Sequence, residues 1–386
     1  MNSIAIKMLI GDRSKYIGIL VGVTFASLLI TWQAAIFVGI MTRSFGTITD
    51  IGQPDIWVMD SRVQYIDDLK PLKDTQLYQV RGVEGVDWAV PLYRGMLKTR
   101  LDNGNFQTCI VMGLDDTTLM GGPPEMVEGT LADLRRSDGV IVDVSAANGK
   151  LAKPPSTPDG KPVPLKIGDT LELNDHRAVV VGICKVSRAL LAYPILYTTY
   201  SRAITFAPQE RKLLSFVLVK SKPGQDVQTL CNRITRTTKL GAFTSDQFKE
   251  KTVTYFLKYT GIPINFGIAV ILAFVVGTVI AGQTFYNFTL ENLRYFGTLK
   301  AMGATDIVLL RMILLQAVLV GGIGYGLGVG TASFMGYMTR NTELSFRLLW
   351  EVLAVTAAAV IIICTVAAFI SMRKVVKLEP AIVFKS

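Results

Sequence analysis

Residue types that commonly carry catalysis or bind metals are few and poorly spaced in this 386-residue chain. The one histidine, His176, follows Asp175 in a predicted turn, and without a second histidine the metal-hydrolase motifs built on paired histidines are excluded. A Ser-His-Asp triad would rest on that residue alone, with no G-x-S-x-G to supply the nucleophile. The cysteines, Cys109, Cys184, Cys231 and Cys364, form no C-x-x-C, so a zinc cluster is not expected. Cys109, Cys184 and Cys231 fall in one polar segment, where an oxidising compartment would permit one disulfide, and spacing leaves the pairing open. No Walker A sequence occurs. The glycine-rich "GGIGYGLGVG" at 321–330 lacks the G-K-[ST] ending and lies inside an apolar run. These observations predict no catalytic, metal or cofactor site in the chain itself.

The elements explain the scarcity. Half of the residues are hydrophobic and the mean hydropathy is +0.39, too apolar for an ordinary soluble domain. Crossing a hydrocarbon layer roughly 30 Å thick takes about 20 residues of helix. Four runs are long enough: 16–42, the charge-free stretch from Lys258 to Glu291, 312–339 after Arg311, and 352–372 before Arg373. The first exceeds the apolar core of a cleaved signal peptide and reads as an uncleaved span. Lys7, Arg13 and Lys15 flank it on one side, and Arg373, Lys374, Lys377 and Lys385 follow the last run, which places both termini in the cytoplasm. The net charge of +10 gathers mostly at these edges, which indicates contact with membrane lipids and not with nucleic acid.

The expected organisation is an α-helical membrane protein with four transmembrane helices and a large α+β extracytoplasmic domain inserted between the first two. Its parts are an amphipathic N-terminus 1–15, spans 16–42, 262–286, 308–338 and 350–372, an outer domain 43–258 with a helical stalk, a cytoplasmic helix 287–305 and a tail 373–386. In the outer domain, Asn103-Gly104 and Asn174-Asp175 predict hairpin turns, and a helix is expected from about Asp226. The proline-rich 151–166 reads as an exposed loop, and Pro263 predicts a kink where the stalk enters the membrane. Within the third span Gly322, Gly326 and Gly330 recur every four residues, as do Gly324 and Gly328. The two small faces allow close helix packing, with Gly322, Gly326 and Gly330 expected to be the packing set.

The short connection 291–303 carries the remaining signal. Leu293, Phe296, Leu299 and Met302 recur every three residues, Glu291 and Arg294 are spaced to pair, and Gly303 before Thr305 and Asp306 marks a stop and a new start. The spacing predicts a short helix that either lies on lipid or docks, through its apolar stripe, in a groove on a partner.

Here "LENLRYFGTLKAMGATD" resembles the signature of MacB/FtsX-type permeases of ABC transporters, E-x-x-R-E-I-G-T-L-K-A-L-G-A. Gly297, Thr298, Leu299, Lys300, Ala301, Gly303 and Ala304 match it, while Tyr295-Phe296 replaces its acidic-aliphatic pair. The N-terminal "IKMLIGDRSKYIGILVGVTFASLLI" resembles that family's entry into its first span, and "RKVVKLEPAIVFKS" is similar to its closing pattern, most like the DevC branch. The resemblance implies a homodimeric, non-enzymatic membrane subunit in a bacterial inner membrane. Its ABC ATPase partner, which carries the ATP and Mg, would dock on Glu291, Leu293, Arg294, Phe296, Gly297, Thr298, Leu299, Lys300, Met302 and Gly303. It also implies a periplasmic HlyD-type adaptor, an outer-membrane duct, and export of a hydrophobic or amphipathic substrate such as a glycolipid. An FtsX-like regulator of a periplasmic cell-wall hydrolase and a lipoprotein-extracting permease are the alternatives the same family offers.

Overall fold

A long apolar run in a hydrocarbon layer has only its own carbonyls with which to satisfy its N–H groups, so it must be helical. The computed structural model describes residues 2–101, 103–155, 160–208, 214–340 and 342–376. Its first half contains α1 (Asn2–Gly11), α2 (Arg13–Ser44), α3 (Gly46–Asp50), β1 (Ile56–Met59), α4 (Asp74–Arg81), β2 (Val86–Arg100), β3 (Phe106–Leu114), β4 (Glu125–Glu128), β5 (Gly139–Asp143) and α5 (Val144–Ala147). There follow β6 (Thr170–Leu173), β7 (His176–Lys185), β8 (Ile195–Thr199), α6 (Tyr200–Phe206), β9 (Phe216–Ser221), α7 (Val227–Thr238), β10 (Gly241–Thr244) and α8 (Ser245–Tyr259). The last helices are α9 (Ile262–Glu291), α10 (Leu293–Ala301), α11 (Asp306–Met338) and α12 (Trp350–Val376). The chain divides into two units, 1–40 with 261–386, and 41–260.

In the first unit, α2, α9, α11 and α12 are long and apolar enough to cross a membrane. Small and hydroxyl residues hold them together: Gly277 of α9 meets Ala26 of α2, Thr31 of α2 donates to Thr356 of α12 at 3.2 Å, and Thr289 and Ser371 bond between α9 and α12. Without a hydrophobic drive between helices in lipid, close backbone approach and hydrogen bonds of this kind supply the attraction. Gln316 of α11, fully buried, donates to the Ala5 carbonyl and ties α1 to the bundle. The second span runs past the expected end at 286, because Phe285, Phe288 and Thr289 continue its buried face. The short helix is consequently α10 alone, not 287–305. The tail residues 377–386, with Lys377, Glu379 and Lys385, lie outside the described residues.

The second unit contains two β-structures that share β2. Strand order β10-β1-β9-β2 makes one sheet from two interleaved β-α-β units, β1-α4-β2 and β9-α7-β10. Residues of β1 alternate across it. Ile56 and Val58 face Leu77 and Val80 of α4 and Leu230 and Ile234 of α7, while Trp57 packs against Phe216 and Phe248 of α8 on the other side. Buried on both faces, the strand reads as continuous apolar sequence. Beyond Leu92, β2 turns to pair β3, and the ring β2-β3-β8-β5-β7-β6 closes back on β2 through Thr99 and Arg100. All six of its strands contribute to one apolar cluster that includes Leu97, Val111, Leu196, Val142, Val180 and Leu171.

Local signals account for the turns. Asn174 and Asp175 both have positive φ, +47° and +65°, which a two-residue hairpin between β6 and β7 requires. Asp226 caps α7, its carboxylate accepting from the Thr229 N–H at 2.7 Å. Of the hairpin between β2 and β3, Asp102 lies outside the described residues, as do 156–159 of the proline-rich segment. The rest of that segment is largely exposed, as expected of a loop, and is tethered: Lys153 and Val163 exchange both backbone hydrogen bonds, and Leu151 and Leu165 are buried. Pro263 does not kink a continuous helix. α8 ends at Tyr259, and the proline sits in the first turn of α9, where a missing N–H costs nothing.

Candidate functional site

The residue types able to do chemistry are dispersed among the described residues. His176 is exposed at the start of β7, with its ring 6.0 Å from that of Phe206. All four cysteines are free and buried, and burial pushes the Cys109 and Cys184 thiols up. Cys109 instead accepts a hydrogen bond from Thr99 at 3.0 Å.

α10 is different, because its position is specified at both ends. Asn292 separates it from α9: its side chain donates to the Phe288 carbonyl at 2.8 Å, capping α9, and its own carbonyl accepts from Tyr295 and Phe296 to begin α10. At the far end Gly303, at φ +94°, lets the Ala304 N–H return to the Leu299 carbonyl at 3.0 Å, and a side chain there would be strained. Lys300 then pairs with Asp306, in the first turn of α11, at 3.0 Å. Glu291 does not pair with Arg294. Its partner is Lys15 at the start of α2, which also binds Asp12 at 2.8 Å. α10 therefore sits at the end of the bundle where α2 begins, α9 ends and α11 begins.

Only part of the expected apolar stripe faces inward: Phe296 and Leu299 do, Leu293 is half-buried and Met302 points out. Phe296 is 0% exposed and joins Phe285, Phe288, Leu309 and Ile313 in the bundle core, while Gly297 and Leu299 are also buried. A docking groove cannot hold Phe296 or Leu299, since the spans already do. The outward row is Arg294, Tyr295, Thr298, Ala301 and Met302, with Tyr295 62% and Met302 75% exposed. Of the expected docking set, Leu293 and Lys300 are half-buried and Glu291, Arg294, Thr298, Met302 and Gly303 are exposed. Sequence reasoning passed over Tyr295, Asn292 and Lys15. Asn292 carried a signal, an asparagine at a helix end, whereas Lys15 lies 276 residues from its partner.

Of the two glycine faces on α11, the one singled out is not the one that packs among the described residues. A methyl group on Gly324 would meet Val23 at 2.7 Å and one on Gly328 would meet Ser27 at 2.6 Å, so these residues are where α11 receives α2. Gly321 meets Cys364 of α12. Gly322, Gly326 and Gly330 point away, and no described residue comes within 4 Å of a methyl group placed on them.

Residues 16–237 match the family described as MacB-like periplasmic core domain, and 266–380 match the FtsX-like permease C-terminal family. Among solved structures, the periplasmic region of MacB from Actinobacillus actinomycetemcomitans is 15% identical, with a TM-score of 0.37, over 53% of this chain and 94% of that one. The extracellular domain of the noncanonic ABC-type transporter YknZ from Gram-positive bacteria is 12% identical, with a TM-score of 0.35, over 50% of this chain and 99% of that one. No curated protein matches the chain. The first family match alone spans more than half of the sequence and the second covers the last three spans, with α10 among them, so the chain belongs to the MacB/FtsX family and is a multi-pass permease subunit of an ABC-type transporter, not a catalytic domain.

Proposed function

We propose that this permease works as a homodimer with a separate ATPase, in a MacB- or DevC-like exporter of the bacterial inner membrane. ATP and Mg would be held by that partner. Both termini would lie in the cytoplasm, as the basic residues Lys7, Arg13, Lys15 and Arg373 favour, and α10 would then meet the ATPase there. The observation that carries the reading is the outward row of α10. Tyr295 and Met302 are exposed on a short helix that is otherwise fastened by Asn292, Gly303 and the Lys300–Asp306 pair, so a load on the row would move the end of α9 and the start of α11. Nucleotide-driven motion of the partner would pass through these spans to the outer unit, where a HlyD-type adaptor and outer-membrane duct would receive a hydrophobic or amphipathic cargo such as a glycolipid. An FtsX-like regulator of a cell-wall hydrolase and a lipoprotein-extracting permease are second readings that the same two family matches support equally.

Co-purification with the candidate ATPase in nanodiscs tests the docking row. Tyr295→Asp and Met302→Asp should abolish both association and stimulated ATP hydrolysis with the bundle still folded, because burying an unpaired carboxylate in an interface costs several kcal/mol, roughly. Association and hydrolysis unchanged in both variants would remove α10 as the docking element.

A further inference from the structure

β10 is the last strand of its sheet. It pairs with β1 on one side, and among the described residues no strand pairs with its other edge. Two helices flank that edge: α7 covers one face of the sheet and α8 the other. Between them runs a groove of about 590 Å³ whose floor is Leu240–Phe243. Both walls carry neutral hydrogen-bonding side chains at helical spacing, Gln228, Asn232 and Thr235 on α7, Gln247 and Thr254 on α8. Gln247 donates to Gln228 at 2.7 Å and bridges the groove at the Thr244 end. Amides and hydroxyls both donate and accept, which suits them to peptide groups.

The charges in the groove are unbalanced. Lys239 and Lys251 line it against Glu250 alone. Lys239 is exposed at the left-handed C-terminal cap of α7. Lys251 is held 4.2 Å over the Phe243 ring and is half-buried, so its ammonium has lost part of its water; the Asp68 charge acts on it, but no ion pair joins the two among the described residues.

The geometry points to a docking groove for an extended, acidic segment of a partner polypeptide, which adds to β10 as a further strand and places its carboxylates on Lys239 and Lys251. Addition to an exposed edge draws affinity from main-chain hydrogen bonds and specificity from the flanking side chains. The four residues of β10 span about 13 Å of strand, enough for one short segment. A second copy of this chain is the less suited occupant, since its own β10 is recessed between the same two helices.

The test uses the full chain in nanodiscs, without any ATPase, so its failure leaves the docking role of α10 untouched. The probes are a fluorescein-labelled octapeptide of alternating Glu and Val, its Lys-Val counterpart, and the acidic peptide N-methylated at alternate residues. Anisotropy should show saturable binding of the acidic probe, weaker by about tenfold or more for the other two. Amide exchange at Gly241–Thr244 should slow in the complex. Lys239→Glu should weaken the acidic probe about tenfold, and Thr235→Trp, which fills the groove and removes neither lysine, should block it at an unchanged melting temperature. Binding indifferent to N-methylation, or exchange at 241–244 that does not change, would overturn the proposal. So would disulfide-linked pairs of a Thr235→Cys variant, which would make the groove a contact between copies.

Discussion

Arg94 is 3% exposed on β2, and burial pulls its pKa down while Asp67 pulls it back. Its guanidinium pairs with Asp67, its N–H donates to the Ser215 hydroxyl at 3.0 Å, and its Nε has no partner among the described residues. A buried cation of this kind is held by one carboxylate, so the pair is more easily harmed by halves than as a whole. Asp67→Ala should destabilise the outer unit by about 3–5 kcal/mol, and Arg94→Met combined with Asp67→Ala should recover much of that loss. Thermal unfolding of the full chain in nanodiscs decides it, and a double variant no more stable than Asp67→Ala would show that the packing of Arg94, not its charge, matters. The pair also ties a strap to the sheet, because Tyr65, two residues before Asp67, stacks on Tyr255 of α8 at 4.3 Å. None of this shows in the sequence, where Arg94 stands in a strand like any surface arginine.

Among elements, α11 shows how a repeat can be legible and still misassigned. Gly322-Gly326-Gly330 and Gly324-Gly328 have the same spacing, and only the rotation of the helix, set by what α2 and α12 present, decides which face is covered. Gly328→Ala should cost about 1–3 kcal/mol through collision with Ser27 and the Thr24 carbonyl. Gly326→Ala should be neutral, or stabilising by up to about 1 kcal/mol from helix propensity. Unfolding in mixed detergent micelles measures both, and equal losses would contradict the assignment of faces. The same ambiguity affected α10: a three-residue apolar repeat drifts around the helix, so Leu293, Phe296, Leu299 and Met302 do not share one face, and the pattern does not say that Phe296 and Leu299 are covered by the spans while Met302 is left exposed. Features with a purely local requirement were readable, as at Asn174-Asp175, where two positive φ values are needed, and at Asp226, which caps the helix after it. The four spans were readable as well, since length and apolarity suffice. Pro263 was not, because a missing N–H is equally at home in a kink and in a first turn.

At the scale of the molecule, the division at residues 41 and 260 makes a claim about folding. The outer unit has three apolar clusters of its own, around Trp57 and Phe248, around Leu97 and Val142, and around Val58 and Ile234, and its described strands pair with one another. At about 220 residues it is long enough to bury a core without help from the spans. Residues 41–260 produced alone should therefore be a soluble, cooperatively melting protein, with the strand-rich circular dichroism of ten strands and a melting temperature indifferent to added detergent. The bundle has no such independence, since its stability depends on small-residue contacts that need an apolar solvent. Aggregation of 41–260 without detergent, or a melt that detergent shifts strongly, would mean that the spans complete its core. A clean, independent melt would instead show that residues 41–260 close their own core.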